Sequence, residues 1–308
     1  MTKQDLTIIV PVYNEAESIP YFIEALTNQP LSLAPRVLFV DDGSTDETVA
    51  MIKSMINVSQ IPIGYLAFSR NFGKEAAMYA GLQHADSDYV AFMDVDLQDP
   101  VSLLPEMIAG VVSGEYDVVA AKRTDRENEN IIRSKLSDMF YWVMNKIAGV
   151  NLEKGERDFR VMNRQVVDAL LSLGESKRFS KGMFHWVGFD TTYVSYANQT
   201  RLTGTTSWST LQLVSYAVDG LISFSMRPLL LVSLMGFGLF LMSMVGLLFV
   251  VIRAIVHPDS AIFGWASLVS IVMTLSGVQL MAIGVIGRYV ADVFIETKNR
   301  PQYILKSK

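Results

Sequence analysis

Asp94-Val95-Asp96-Leu97-Gln98-Asp99 places two carboxylates and an amide oxygen directly after the apolar run Tyr89–Met93. In an extended strand, two aspartates separated by one residue point to the same side. Hard oxygen donors of this kind suit Mg²⁺ or Mn²⁺, and such sites leave coordination positions for phosphate oxygens. The pattern therefore predicts a divalent cation held by Asp94, Asp96 and Gln98, and a nucleotide-diphosphate substrate. A solvated acidic turn can carry the same spacing, so the rest of the chain has to decide.

Two further motifs follow strand-like runs. Pro11-Val12-Tyr13-Asn14-Glu15 closes the first, and Asp41-Asp42-Gly43-Ser44-Thr45-Asp46-Glu47-Thr48 closes the second. Both fall where a doubly wound sheet opens its crevice, at carboxyl ends of strands. A carboxylate there can accept from a ribose hydroxyl or the N3–H of uracil. Gly43 permits a tight turn. Ser44 or Thr45 is expected to cap the next helix, with Asp46 and Glu47 in its first turn.

The elements that must position these groups alternate. Leu6–Val12, Arg36–Val40, Ile61–Phe68, Tyr89–Met93 and Tyr116–Ala121 are apolar runs of strand length, separated by helix candidates starting near Glu15, Asp46, Gly73 and Pro100. Pro100 reads as the first residue of its helix. The order implies an α/β domain with a mainly parallel sheet and helices on both faces. After Lys122 the alternation is expected to stop, giving a polar loop at 123–130 and a helix over Ile131–Ala148.

Composition excludes several chemistries. The 308 residues contain no cysteine, so disulfides, zinc–thiolate sites and thiol nucleophiles are absent. The three histidines, His84, His185 and His257, are far apart, and a net charge of −5 without a long basic run argues against nucleic-acid binding. The N-terminus reads as lacking a signal peptide, because polar residues lead straight into the first strand.

Hydrophobicity is concentrated late in the chain. No ionisable residue occurs over Leu229–Ile252 or over Ala261–Gly287. Each run is long enough to cross a hydrocarbon core of about 30 Å, which predicts a transmembrane hairpin turning near His257-Pro258-Asp259. Lys298, Arg300, Lys306 and Lys308 in the tail favour the cytoplasmic side for both ends. Trp208–Met226 reads as an amphipathic helix at the interface. The expected division is a catalytic domain over 1–206, an interfacial helix over 207–228, a hairpin over 229–290 and a tail over 291–308.

Together PVYNE, VDDGSTDET, SRNFGKEAA (Ser69–Ala77) and DVDLQDP (Asp94–Pro100) resemble family 2 glycosyltransferases of the GT-A (Rossmann-like) fold. More narrowly they resemble the polyprenyl-phosphate branch, which includes bactoprenol glucosyltransferases and dolichol-phosphate mannose synthases. The resemblance covers essentially the whole chain. It implies that Pro11, Tyr13, Glu15, Asp42 and Asp94 surround a nucleotide sugar, and that Asp94, Asp96 and Gln98 hold Mg²⁺ or Mn²⁺. It further implies that Arg123, Arg133 and Ser137 bind the acceptor phosphate, and that Asp96, Asp158, Arg160 and Arg201 serve catalysis. Gly204 and Ser207 resemble a loop closing over the diphosphate; relatives often carry Lys or Tyr where this chain has Trp208.

The expected reaction is inverting transfer of a hexose, glucose first, from a UDP-sugar to undecaprenyl phosphate, for cell-envelope glycan modification. The expected setting is the bacterial cytoplasmic membrane, crossed more than once, with the catalytic domain cytoplasmic and assembly as a homo-oligomer such as a tetramer. Alternatives are GlcNAc, galactose or another sugar, or a non-catalytic, membrane-anchored nucleotide-sugar-binding protein. A processive polysaccharide synthase is disfavoured because no Gln-x-x-Arg-Trp motif is present. A nucleotidyltransferase is disfavoured because its Gly-rich signature is missing near the N-terminus.

Overall fold

The structure, a computed structural model, describes residues 5–124, 142, 144–148, 153–197, 225, 227–256 and 264–307. Eight strands form one sheet in the order β7-β5-β6-β4-β1-β2-β3-β8. The central strands are β1 (Asp5–Val12), β2 (Ala34–Asp41), β3 (Ile63–Phe68) and β4 (Tyr89–Phe92), all mutually parallel where they pair. Interleaved are α1 (Ser18–Thr27), α2 (Thr48–Val58), α3 (Lys74–His84) and α4 (Leu104–Val112).

Burial on both sides explains why these strands read as unbroken apolar runs. Ile8 and Val10 face a core shared with Phe22, Phe39 and Leu104, whereas Ile9 faces one built from Val40, Ala77, Ala80 and Val166. Helix α1 supplies Ile19, Phe22, Ile23 and Leu26, a stripe at helical spacing, to the first of these.

Three strands appear beyond the five that the sequence suggested. After β5 (Val118–Arg123), β6 (Glu156–Asn163) runs antiparallel between β4 and β5, and β7 (Thr191–Tyr196) lies parallel to β5. Helices α5 (Arg164–Ser172) and α6 (Ser180–Trp186) connect them. The expectation that alternation stops after Lys122 is thus corrected. Helix starts are corrected too. Ser44 and Thr45 do not cap α2, which begins at Thr48 with no acid in its first turn; the Asp46 carboxylate accepts from the Thr48 N–H at 3.0 Å. Pro100 precedes a short 3₁₀ turn, and the proline opening α4 is Pro105.

Two long helices follow, α7 (Arg227–Val256) and α8 (Trp265–Thr297). At 1.5 Å per residue each exceeds 40 Å in length. Both contain stretches apolar and long enough to cross a membrane, with none of those stretches buried. The end of α8 is tied to the sheet domain. Glu296 accepts from the Ser176 N–H and hydroxyl, both at 2.9 Å, and Asp292 lies 3.4 Å from Lys177 Nζ. The tail then adds β8 (Leu305–Ser307) antiparallel to the edge of β3, with Tyr303 stacked on Phe68 at 5.0 Å. Most of the expected helices over 131–148 and 208–226 lie outside the described residues; within the first, Met144–Ala148 form a wide π-type turn.

Candidate active site

The loops after β1 and β2 are stitched to each other. Asn14 adopts a left-handed conformation at φ 54°, which asparagine tolerates. Its N–H donates to Ser44 Oγ at 2.9 Å, and its Oδ1 accepts from the Thr45 N–H at 2.8 Å. The Glu15 N–H donates to Thr48 Oγ1, and its carboxylate accepts from Ser18 at 2.7 Å. Pro11 is half-buried, and Tyr13 stays 46% exposed at the rim of the crevice, an aromatic face open to a planar ligand.

Asp42 is buried and points the other way, toward the loop before α3. Its carboxylate accepts from the Phe72 N–H at 2.6 Å and the Gly73 N–H at 2.9 Å. Burial raises its carboxyl above the ordinary value, against the pull of those two donors. Gly43 makes the arrangement possible: a Cβ there would sit 2.4 Å from the Arg70 carbonyl carbon, and its φ is 71°.

The acidic loop differs from the expected geometry. β4 ends at Phe92, two residues before Asp94, and Asp96 stands on the turn that follows. Leu97 has φ 55°, a strained value for a leucine and of the kind that clusters at functional sites. The turn folds back so that Asp96 Oδ1 accepts from the Gln98 N–H at 3.1 Å.

β6 brings a second set of charges alongside. Lys74, the first residue of α3, places Nζ 2.8 Å from Asp94 and 2.7 Å from Asp158. Burial works to raise the Asp158 carboxyl, but the charges of Lys74, Lys181 and Arg160 hold it far below the usual carboxylate range. Arg157 donates to Asp99 at 2.9 Å and to the Gln98 amide oxygen at 3.3 Å. Tyr196, ending β7, also donates to Asp99 Oδ1. Asp99 Oδ2 is the one buried side-chain polar atom among the described residues without a hydrogen-bond partner.

Arg160 is fully buried two residues along β6 from Asp158, and its Nη2 donates to the Arg157 carbonyl at 2.9 Å. Its guanidinium bonds Glu156 at 3.0 Å and stacks 3.5 Å from the Phe184 ring, while His185 Nε2 lies 2.7 Å from the other Glu156 oxygen. Arg123 ends β5, where its N–H donates to the Gly155 carbonyl and a Cβ on Gly155 would clash with its own carbonyl oxygen. The structure thus gathers Asp94 and Asp158 around Lys74, and Gln98 and Asp99 around Arg157, two residues the sequence reading gave no role. Their partners are distant in sequence, which conceals them. Arg133, Ser137, Arg201, Gly204, Ser207 and Trp208 lie outside the described residues.

Among the described residues, no group of three or more His, Asp or Glu side chains is gathered closely enough to hold an ion alone. Asp94 and Asp96 nevertheless fit Mg²⁺ or Mn²⁺, since Mg²⁺ in particular is commonly held by one or two carboxylates together with substrate phosphates. The Gln98 amide oxygen already accepts from Arg157 and keeps a second lone pair for a cation.

The profile described as "Glycosyl transferase family 2" matches residues 7–169. The chain is 40% identical over 307 residues to CsbB of Bacillus subtilis, a protein placed by name among the glycosyltransferases, covering 99% of this chain and 92% of that one. It is 38% identical to the bactoprenol glucosyl transferase of Shigella phage SfII, covering 98% and 97%. It is 36% identical to the prophage bactoprenol glucosyl transferase homolog of Escherichia coli, covering 98% of each.

Proposed function

The chain belongs to glycosyl transferase family 2, and on that premise we propose that it transfers one hexose, glucose first, from a UDP-sugar to undecaprenyl phosphate with inversion at the anomeric carbon. The observation that carries this reading is the likeness, over nearly the full length of both chains, to proteins named bactoprenol glucosyl transferases. That likeness includes the apolar helix pair as well as the sheet domain. We read α7 and α8 as a hairpin in the bacterial cytoplasmic membrane, with the sheet domain on the cytoplasmic side and copies of the chain assembled as an oligomer such as a tetramer.

The chemistry asks little of a general base. A phosphate monoester, with its second pKa near 6, is already anionic at neutral pH. Its oxygen attacks the anomeric carbon opposite the leaving UDP, so the protein's task is positioning and charge stabilisation. Tyr13, Pro11, Glu15 and the Asp41–Asp42 turn would line the nucleoside. Asp94, Asp96 and Gln98 would hold Mg²⁺ or Mn²⁺, which would supply Lewis-acid neutralisation of the diphosphate. Arg123, Arg133 and Ser137 would hold the acceptor phosphate, and Arg201 would reach the departing diphosphate, because guanidinium forks match phosphate oxygens. Asp158, kept ionised by Lys74, is an orienting anion rather than a proton donor. Arg160 acts through Glu156 and Phe184 and holds β6 in place.

The test is NMR analysis of the lipid product formed by the purified protein from UDP-glucose and undecaprenyl phosphate. An anomeric configuration opposite to the donor's supports inversion, whereas retained configuration overturns it. Product from UDP-GlcNAc or UDP-galactose but not UDP-glucose would reassign the sugar.

A further inference from the structure

Lys74 joins three separate parts of the fold. It opens α3, Asp94 follows β4, and Asp158 lies on β6, 20 and 84 residues away. Its ammonium contacts both oxygens of Asp94, at 2.8 and 3.0 Å, and Asp158 Oδ2 at 2.7 Å. The two carboxylates are about one-quarter exposed, at 26% and 25%, and the lysine 42%. A fully exposed pair would contribute little. Here one cation faces two carboxylates at the mouth of the crevice.

We propose that Lys74 is a positioning residue that competes with the divalent cation for Asp94 and turns to the donor diphosphate when Asp94 is taken. The inference rests on the donor and cation reading given above. Both Asp94 oxygens face the ammonium, so a divalent cation arriving at Asp94 meets a positive charge already in contact with it. Two cations at one carboxylate also repel. Lysine is suited to such an exchange, because it is a compact charge on a flexible four-carbon stem with rotatable donors. Asp158 keeps a hold on it and limits how far it swings. A diphosphate bound beside Asp94 is then the nearest new anion for the released charge. In this arrangement Lys74 screens the acidic cluster until the cation and donor arrive together, and it favours their joint binding over binding of the cation alone.

The experiment uses the full-length protein in detergent, with Mn²⁺ binding followed by electron paramagnetic resonance and UDP binding by calorimetry. Replacing lysine by a neutral side chain unmasks Asp94. Lys74→Met should therefore bind Mn²⁺ roughly fivefold more tightly without nucleotide, the order expected for one partly exposed charge pair. The same variant should bind UDP, with Mn²⁺ present, roughly tenfold more weakly. Lys74→Arg keeps the charge and should move the Mn²⁺ affinity least. A merely structural ion pair would weaken both affinities together as the fold loosens, and that pattern in Lys74→Met and Lys74→Gln overturns the proposal. Unchanged Mn²⁺ affinity in a folded Lys74→Met protein overturns it as well. Wild-type protein that binds neither Mn²⁺ nor UDP contradicts the donor reading itself, whereas wild-type binding with indifferent variants removes only the role of Lys74.

Discussion

Asp42 accepts a 2.9 Å hydrogen bond from the Gly73 N–H, which ties the turn after β2 to the residue immediately before Lys74. The aspartate that the sequence pointed toward a nucleoside therefore also sets the start of α3. Asp42→Ala leaves the N–H groups of Phe72 and Gly73 without their acceptor, at a cost of about 1–3 kcal/mol. The expected result is a lower melting temperature together with weaker UDP binding. A variant with wild-type stability and only a lost nucleotide contact would assign Asp42 to the ligand alone.

Arg160 and Glu156 give a second prediction. Removing one partner of a buried ion pair typically costs about 3–5 kcal/mol, so Arg160→Ala should lower the melting temperature by on the order of 10 °C. Its residual activity should follow the folded fraction. Burial alone would raise the Glu156 carboxyl, but the His185 hydrogen bond and the Arg160 charge bring it below its ordinary value of 4.5. A depressed carboxylate stabilises the fold above its unfolded pKa and loses that contribution as pH falls. Thermal unfolding followed from pH 7 downward should thus show Glu156→Gln to be less stable at neutral pH, with the difference from wild type narrowing below about pH 4.5.

Tyr196→Phe tests the Asp99 cluster. Asp99 is buried, shares Oδ1 between Tyr196 and Arg157, and has no partner on Oδ2. Loss of the hydroxyl should cost about 1–3 kcal/mol. It should also raise the Asp99 carboxyl further, because burial already pushes it upward and the Tyr196 bond is one of the contacts pulling it down. A thermal-shift series over pH reads the stability loss. No loss at any pH would mean that Arg157 alone holds the carboxylate.

How far the sequence carried the fold depends on how locally each element is encoded. β1 to β4 were legible because burial on both faces makes each a continuous apolar run, and their motif loops follow directly. β6 was missed because its run Glu156-Arg157-Asp158-Phe159-Arg160 is charged, and the buried Arg160 is made acceptable by Glu156, Phe184 and the Arg157 carbonyl. β7, Thr191–Tyr196, carried a readable signal in its β-branched and aromatic residues. β8 was not readable, since three tail residues find their edge on β3 more than two hundred residues earlier. The site shows the same division. Asp94, Asp96 and Asp158 announce themselves by type and motif, whereas Lys74, Arg157 and Tyr196 gain meaning only from partners that the folded chain supplies.

The helices α7 and α8 make a cellular prediction. Their apolar side chains are exposed along both, with Phe240 at 56%, Leu248 at 61% and Ile283 at 62%. Surfaces of that extent are not left in water by soluble monomers. The protein should sediment with membranes, resist alkaline carbonate and dissolve only in detergent. Release by carbonate would contradict the spanning hairpin.

The most direct test of the account is transfer of radiolabel from a panel of UDP- and GDP-sugars to undecaprenyl phosphate, using the purified protein with Mg²⁺ or Mn²⁺ and Asp96→Asn as control. Lipid-linked label is expected from UDP-glucose, dependent on the cation and abolished in the variant. Folded, membrane-extracted protein that labels no lipid from any donor would contradict it.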